Sequence, residues 1–382
     1  MTRVTAVILS YNRQDALRRQ LLFYANKPVH LIFADGSDED WGSGESGSIG
    51  HMTWEYFRIS GWNYMDRYRK AISKVKTEFM FFIDDEECIL PSGVDQAIRF
   101  LEANPDHSCA GGRVGRASVG GVGKRPLSKS FSVADWNYFS SRFGLLQDDF
   151  RLRLQSLVTE NRTANIYYQV HRTELVKKFA ETFDEKILEV KYPGTHEILF
   201  CCFIVVHGKW QMQNYPYWFR YGGSSAAPSG TPKYLSDNSA SQIARELVRL
   251  VEERFQTLKS LPNEDEFKDV LVRDFLRVHG DHGTKSNSIN PKKRSRQKLL
   301  LWRVLFKLAR FKQYLKINLF EIYPTMYERM FPGEATRVKT YSKLFAGGNK
   351  NVEIELFEFE DIWSRFPNGL SNSKYEQELA RV

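Results

Sequence analysis

The sequence predicts an α/β fold: a Rossmann-like domain with a mostly parallel central sheet, followed by a mainly helical C-terminal region. Three observations predict it. Short, nearly continuous apolar runs recur along the first half of the chain, as expected of strands buried on both faces. Stretches with apolar residues at helical spacing lie between them, and alternation of this kind builds a parallel sheet covered by helices. A polar cluster follows directly on several of the runs, and ligands of open α/β sheets bind outside the carboxyl ends of the strands.

Taken in order, residues 4–9 (VTAVIL) read as the first strand and Gln14 to Ala25 as a helix. Leu31–Ala34 is the second strand, and the Gly-, Ser- and acid-rich stretch 36–50 reads as a loop. Trp54 to Ile59 reads as a strand. Met65, Tyr68, Ala71, Ile72 and Val75 then mark one face of a helix. Phe79–Ile83 is the next strand, Val94 to Leu101 a helix, and Cys109–Val114 a further strand. Residues 111–130 read as a mobile loop because Gly, Ser and basic residues crowd there. Ile166–Val170 reads as a strand, 173–180 as a short helix, 197–206 as a buried helix and Gly208 to Gln213 as a strand. Ile243, Leu247, Leu250, Val251, Phe255 and Leu258 make an amphipathic helix. Residues 279–293 read as a linker and 352–356 as a strand. The expected division is therefore a catalytic part, 1–225, and a C-terminal part, 226–382.

Composition narrows the class. The 382 residues are 42% hydrophobic and 14% aromatic, enough for a large core, which excludes global disorder. No stretch approaches the ~20 apolar residues of a membrane span, and the first residues lack the pattern of a signal peptide. The four cysteines, Cys88, Cys109, Cys201 and Cys202, follow neither a metal-binding spacing nor a secreted framework, so the expected setting is reducing and cytoplasmic. Residues 291–317 hold ten Lys or Arg and no acid; removing these from a net charge of +9 leaves the other 355 residues one charge negative. Leu299, Trp302, Leu305 and Phe306 interleave with those cations at near-helical spacing. A basic amphipathic helix of this kind suits the anionic inner face of the cell membrane. Packing on the catalytic part and an oligomer contact are its other uses.

Asp84-Asp85-Glu86 carries the most chemistry. Three consecutive carboxylates at the end of a buried strand repel one another and raise one another's pKa. Mg²⁺ or Mn²⁺, which takes hard oxygen ligands and shares them with substrate phosphates, is the usual remedy. Ser10-Tyr11-Asn12-Arg13 and Asp35-Gly36-Ser37-Asp38 end the first two strands. If those strands are neighbours, the three clusters converge on one crevice. The plainer readings are a solvated acidic turn at 84–86 and an ordinary turn at 35–38, since Asp, Gly and Ser all favour turns.

The order VILSYNR, ADGSDED and FFIDDEECILPSG resembles the nucleotide-sugar glycosyltransferases of the GT-A fold, in particular the large family 2, over roughly residues 4–220. Ala34 stands where that family has an Asp, and Glu86 where its Asp-x-Asp motif ends in Asp. The resemblance implies that Tyr11 and Asp35 contact the base and ribose of the donor, with Ser10 and Arg13 nearby. It implies that Asp84 faces the ribose or the metal, with Asp85 beside it, and that Glu86 is the main metal ligand. The donor is then a nucleotide-diphosphate sugar, by default a UDP-sugar, and the acceptor a hydroxyl of a glycan or lipid-linked molecule in surface polysaccharide biosynthesis. A late carboxylate serves inverting members as general base; Glu197 stands in that position, with His196 as its rival and a helix-start acid as its plainer reading. Arg172 and Arg220 are further candidates to meet phosphate. Two other functions compete. A nucleotidyltransferase also uses such a sheet and Mg²⁺, but usually needs a Gly-rich loop after the first strand, where this chain has Ser10-Tyr11-Asn12-Arg13. A nucleic-acid binder would use 291–317, but no nucleic-acid motif accompanies that patch.

Overall fold

The computed structural model describes residues 2–41, 46–60, 64–118, 132–134, 144–160, 166–182, 194–221, 237–258, 264–279 and Glu355. The chain divides into two compact units, 1–283 with 354–382, and 284–353. The second unit, most of the 279–293 linker, the basic segment 291–317 and all of 352–356 but Glu355 lie outside the described residues.

The strands are β1 (Val4–Ser10), β2 (His30–Asp35), β3 (Ser46–Ile49), β4 (Met52–Arg58), β5 (Phe79–Asp84), β6 (Cys88–Ile89), β7 (His107–Ser118), β8 (Ser132–Ala134), β9 (Gly144–Leu145), β10 (Val170–Arg172) and β11 (Lys209–Tyr221). The helices are α1 (Gln14–Tyr24), α2 (Tyr64–Lys74), α3 (Pro91–Ala103), α4 (Phe150–Glu160), α5 (Thr173–Thr182), α6 (Gly194–His207), α7 (Asp237–Leu258) and α8 (Glu264–His279). One mixed sheet runs β3-β4-β2-β1-β5-β10-β7-β11-β6, with β8 beside β7 and β9 beside β11. Strands β4, β2, β1 and β5 are parallel. Antiparallel β10 joins them to β7, which runs parallel to β11. The fold is thus α/β with a parallel core, as the alternation predicts.

The core follows from the apolar runs. Ala6, Val7 and Ile8 of β1, Leu31 to Ala34 of β2 and Phe79 to Ile83 of β5 are buried, because helices cover both faces of a parallel sheet. In β1 the register pairs Ser10 with Asp35 and Leu9 with Asp84. Three adjacent strands therefore end at one level, and their terminal clusters meet.

Three expectations are corrected. Part of the 36–50 loop is strand: β3 pairs antiparallel with β4, and the turn between them uses Gly50 at φ +58°, a conformation open to glycine because it lacks a Cβ. The expected strand at Cys109–Val114 runs on through residues 115–118, read only as loop, because β11 supplies a ladder for that backbone. Gly111 and Gly112 of β7 sit under Gln169, Tyr215 and Tyr217, where a Cβ would clash. Ile166–Val170 is not a strand over its length. Its first residues turn, with the Gln169 amide donating to the Ile166 carbonyl at 3.2 Å, and only Val170 enters β10. The turn lets the Tyr167 and Tyr168 rings both pack inward, which strand alternation would forbid. Helix α6 is the buried helix expected at 197–206, with every residue from Ile198 to Val206 in the core. Helices α7 and α8 pack on each other and on α4 and α6.

Candidate active site

The crevice is built where β1, β2 and β5 end. After Ser10 the chain turns through Asn12, whose φ of +55° is a left-handed conformation that Asn tolerates. The Asn12 amide donates to Ser37 Oγ at 2.7 Å, which ties the first cluster to the second. Ser10 Oγ donates to Asp85 Oδ2 at 2.8 Å, which ties it to the third. Arg13 Nη1 donates to Asp85 Oδ1 at 3.1 Å and pairs with Glu86. All three clusters predicted from the sequence are thus joined by direct hydrogen bonds.

Each carboxylate of the acidic loop has a different setting. Asp84 is exposed, and its Oδ2 accepts from the Tyr168 hydroxyl at 2.9 Å. Asp85 is buried; burial pushes its pKa up to about 6, against the opposing pull of Arg13 and Ser10. Glu86 is partly exposed beside Arg13. Glu87 is buried and accepts from Trp218 Nε1 at 2.6 Å, and the Trp218 ring stacks on Tyr168 at 4.4 Å. The loop backbone is held from α1: Gln20 Nε2 donates to the carbonyls of Asp84 (3.4 Å), Asp85 (3.1 Å) and Glu87 (2.7 Å). Tyr24, one turn on, donates to the Ile89 carbonyl at 2.8 Å.

Asp35 is fully buried. Its carboxylate accepts from the Ser37 amide (3.0 Å), Ser37 Oγ (2.5 Å) and the Tyr56 hydroxyl (2.9 Å). The two bonds from Ser37 shape the loop that follows Asp35 and the third ties it to β4, where burial beside Asp35 raises the Tyr56 pKa. Trp41 stacks on Tyr56 at 4.6 Å and closes that loop. Arg67 of α2 lies buried in the electrostatic field of Asp35, Tyr64 and Tyr11, with its pKa lowered mainly by burial. It brings α2 to the Tyr11–Asp35 side of the crevice.

Glu197, half-buried in the first turn of α6, reaches the same region. Its charge, with that of Asp84, raises the pKa values of Tyr64 and Tyr168, which burial already pushes up. Glu197 and Asp84 therefore flank one tyrosine cluster. His196 has the opposite character. Its ring is 4% exposed, lies 4.3 Å from the Tyr68 ring and 5.2 Å from Tyr64, and is pushed down to a pKa of about 3 by burial. It is a neutral imidazole within an aromatic cage, and its Nδ1 meets the Tyr64 hydroxyl at 3.4 Å.

The remaining candidates separate from this crevice. Arg172 donates to the carbonyls of His107 (2.9 Å), Leu101 (2.6 Å) and Asn104 (3.3 Å) and so ties β10 to the end of α3, which corrects its reading as a phosphate ligand. The Arg220 side chain lies outside the described residues. Sequence reasoning missed Gln20, Arg67, Tyr168 and Trp218. The first two lie on helices whose burial is set by tertiary packing, and the last two belong to no motif in the sequence. Among the described residues no group of three or more His, Cys, Asp or Glu side chains is arranged to hold a metal ion by itself. Nor is any helix among them long and apolar enough to cross a membrane.

No family model and no curated protein matches the chain. Among solved structures it is similar to residues 1–349 of S. aureus TarS in complex with UDP-GlcNAc, at 12% identity over 76% of this chain and 77% of that one, with a TM-score of 0.45. A second structure of the same S. aureus fragment is 11% identical over 98% and 91% of the two chains, TM-score 0.47. Its complex with UDP is 13% identical over 98% and 91%, TM-score 0.45.

Proposed function

We propose that the chain is a nucleotide-sugar glycosyltransferase, which moves a sugar from a nucleotide-diphosphate donor to a hydroxyl of a glycan or lipid-linked acceptor. The observation that carries this reading is the hydrogen-bonded convergence of Ser10–Arg13, Asp35–Ser37 and Asp84–Glu86 at the carboxyl ends of three adjacent parallel strands. In this reading Tyr11 and the Asp35 loop receive the nucleoside, with Arg67 beside them. Asp84 and Glu86 would hold Mg²⁺ or Mn²⁺: both are hard oxygen donors and both reach the surface, as a cation that completes its shell with phosphate oxygens and water requires. When bound, that ion neutralises charge on the departing nucleoside diphosphate. Ser10 and Arg13 keep Asp85 fixed beneath, and Gln20 fixes the loop backbone.

Glu197 is the general base of this reading and the outcome is inversion. That it is half-buried, sits at a helix start and shares its tyrosine neighbours with Asp84 supports a role on the sugar side of the donor. A proton from the acceptor hydroxyl goes to its carboxylate as the oxygen attacks the anomeric carbon. His196, caged and neutral, keeps α6 against α2. The division at 225/226, a role in surface polysaccharide synthesis and docking of 291–317 on the inner face of the membrane belong to the same proposal.

A thermal-shift screen of nucleoside diphosphates and their sugars, with and without Mn²⁺, tests the donor assignment. Stabilisation grows with ligand concentration over its dissociation constant, so a single responding base names the nucleotide. UDP, which the S. aureus TarS fragment binds, is the first to try. Stabilisation by nucleoside triphosphates alone would favour a nucleotidyltransferase instead.

A further inference from the structure

Tyr168 places a phenol hydroxyl on Asp84, the most exposed carboxylate of the acidic loop. The Tyr168 ring is buried, yet its hydroxyl donates to Asp84 Oδ2 at 2.9 Å. An exposed aspartate samples several side-chain rotamers, and that freedom is lost when it takes a ligand. The bond from Tyr168 fixes the carboxylate in advance. A hydrogen bond to an exposed carboxylate adds little to stability, because water replaces it when it is lost. Its value at this position is direction.

The hydroxyl can aim Asp84 because the ring that carries it is locked by packing. Trp218 stacks on that ring, with centroids 4.4 Å apart and planes 28° from parallel. Trp218 Nε1 donates to Glu87 Oε2 at 2.6 Å, and the Glu87 amide donates to the Asp84 carbonyl at 3.1 Å. The contacts close a circuit, from Asp84 through Tyr168, Trp218 and Glu87 back to Asp84. The Tyr217 hydroxyl donates to the Tyr168 carbonyl at 2.9 Å, and β11 pairs with β6 just beyond the loop, Trp218 opposite Ile89. Burial, with the charges of Asp84, Glu197 and Glu87, pushes the Tyr168 pKa up, so the hydroxyl keeps its proton and remains a donor. Gln20 holds the loop by its backbone. Tyr168 instead acts on a carboxylate itself.

We propose that Tyr168 is a positioning residue of the donor site: it aims the Asp84 carboxylate for the cation and diphosphate, and Trp218 fixes Tyr168 in that pose. The inference rests on the donor site proposed above and adds two residues that lie outside its three clusters. Both act through Asp84. Partners of this kind, hydrogen-bonded to a ligating carboxylate, typically change affinity by about 10–100-fold.

Calorimetric titration of the full chain with UDP, and with ADP, CDP, GDP and dTDP in turn, tests this without any turnover. Each nucleotide is titrated with and without Mn²⁺, and the readout is the gain in affinity that Mn²⁺ brings. A merely structural change would weaken binding equally in both conditions. Tyr168→Phe removes only the hydroxyl and keeps the stacked ring. It should reduce the gain about tenfold and change the affinity without Mn²⁺ by less than about twofold. Trp218→Leu should reduce the gain to a similar extent; an unchanged gain there overturns the part given to Trp218. An unchanged gain in Tyr168→Phe, or equal losses with and without Mn²⁺, overturns the positioning role and leaves the donor site standing. A wild type that binds none of these nucleotides, or binds one with no gain from Mn²⁺, overturns the donor site or its metal, and the positioning role with it.

Discussion

At the scale of single residues, Asp85 and His196 carry opposite pH signatures. Burial holds the Asp85 pKa at about 6, above its unfolded value. The folded protein therefore binds more protons than the unfolded chain between about pH 4 and 6. That contribution to stability is full below pH 4 and is lost as pH rises through 6, at a cost of about 3 kcal/mol by pH 7. Asp85→Asn should remove this slope. The difference between variant and wild type in urea unfolding should grow from pH 4.5 to pH 7, and a constant difference would contradict the assignment. His196 is held down at about 3, so its contribution is present above pH 6.5 and lost as pH falls. His196→Phe, which suits the ring cage, should flatten the acid limb of the stability curve. The sequence showed which carboxylates gather but not which of them turns inward. Asp84 and Asp85 are chemically identical, and only the pleat and the position of Ser10 and Arg13 decide that one is exposed and the other buried.

At the scale of elements, α1 holds the acidic loop and a distant carboxylate caps α3. Gln20 of α1 satisfies three carbonyls of that loop, and burial leaves water unable to replace it. Gln20→Leu should cost about 2–3 kcal/mol in urea unfolding and weaken nucleotide binding, whereas Gln14→Ala at the exposed start of the same helix should do little to stability. Helix α3 begins at Pro91 without a side-chain cap of its own. Its cap comes from Glu355: the Ser92 amide donates to the two carboxylate oxygens at 2.9 and 3.1 Å, and Ser92 Oγ donates at 2.6 Å. An anion at a helix N-terminus is stabilising, so Glu355→Ala should lower stability by about 1–2 kcal/mol, with Glu355→Gln recovering part of it. No local pattern announces a cap 263 residues away. The strands β1, β2 and β5 were legible because burial on both faces leaves a continuous apolar run. Strand β3 and the end of β7 were not, since Gly- and polar-rich backbone there is held by its neighbours in the sheet and not by its own side chains, and the end of β11 was not because Pro216 interrupts its run.

At the scale of the molecule, the fold sets three strand ends level and lets α2 and α6 close the crevice from one side. The parallel register follows from apolar runs of similar length, which is why the convergence could be anticipated from the chain alone. The helices that bring Arg67, Glu197 and Gln20 to the crevice could not be placed in that way, because helix periodicity fixes a buried face but not its neighbours. The account makes Asp84–Glu86 the diphosphate end of a donor site and Tyr11–Asp35 its nucleoside end. A crystal structure with a nucleoside diphosphate and Mn²⁺ tests that most directly. It should show the base against Tyr11 and the Asp35 loop, and the metal on Asp84 and Glu86. A nucleotide bound elsewhere, or a diphosphate pointing away from the acidic loop, would contradict it.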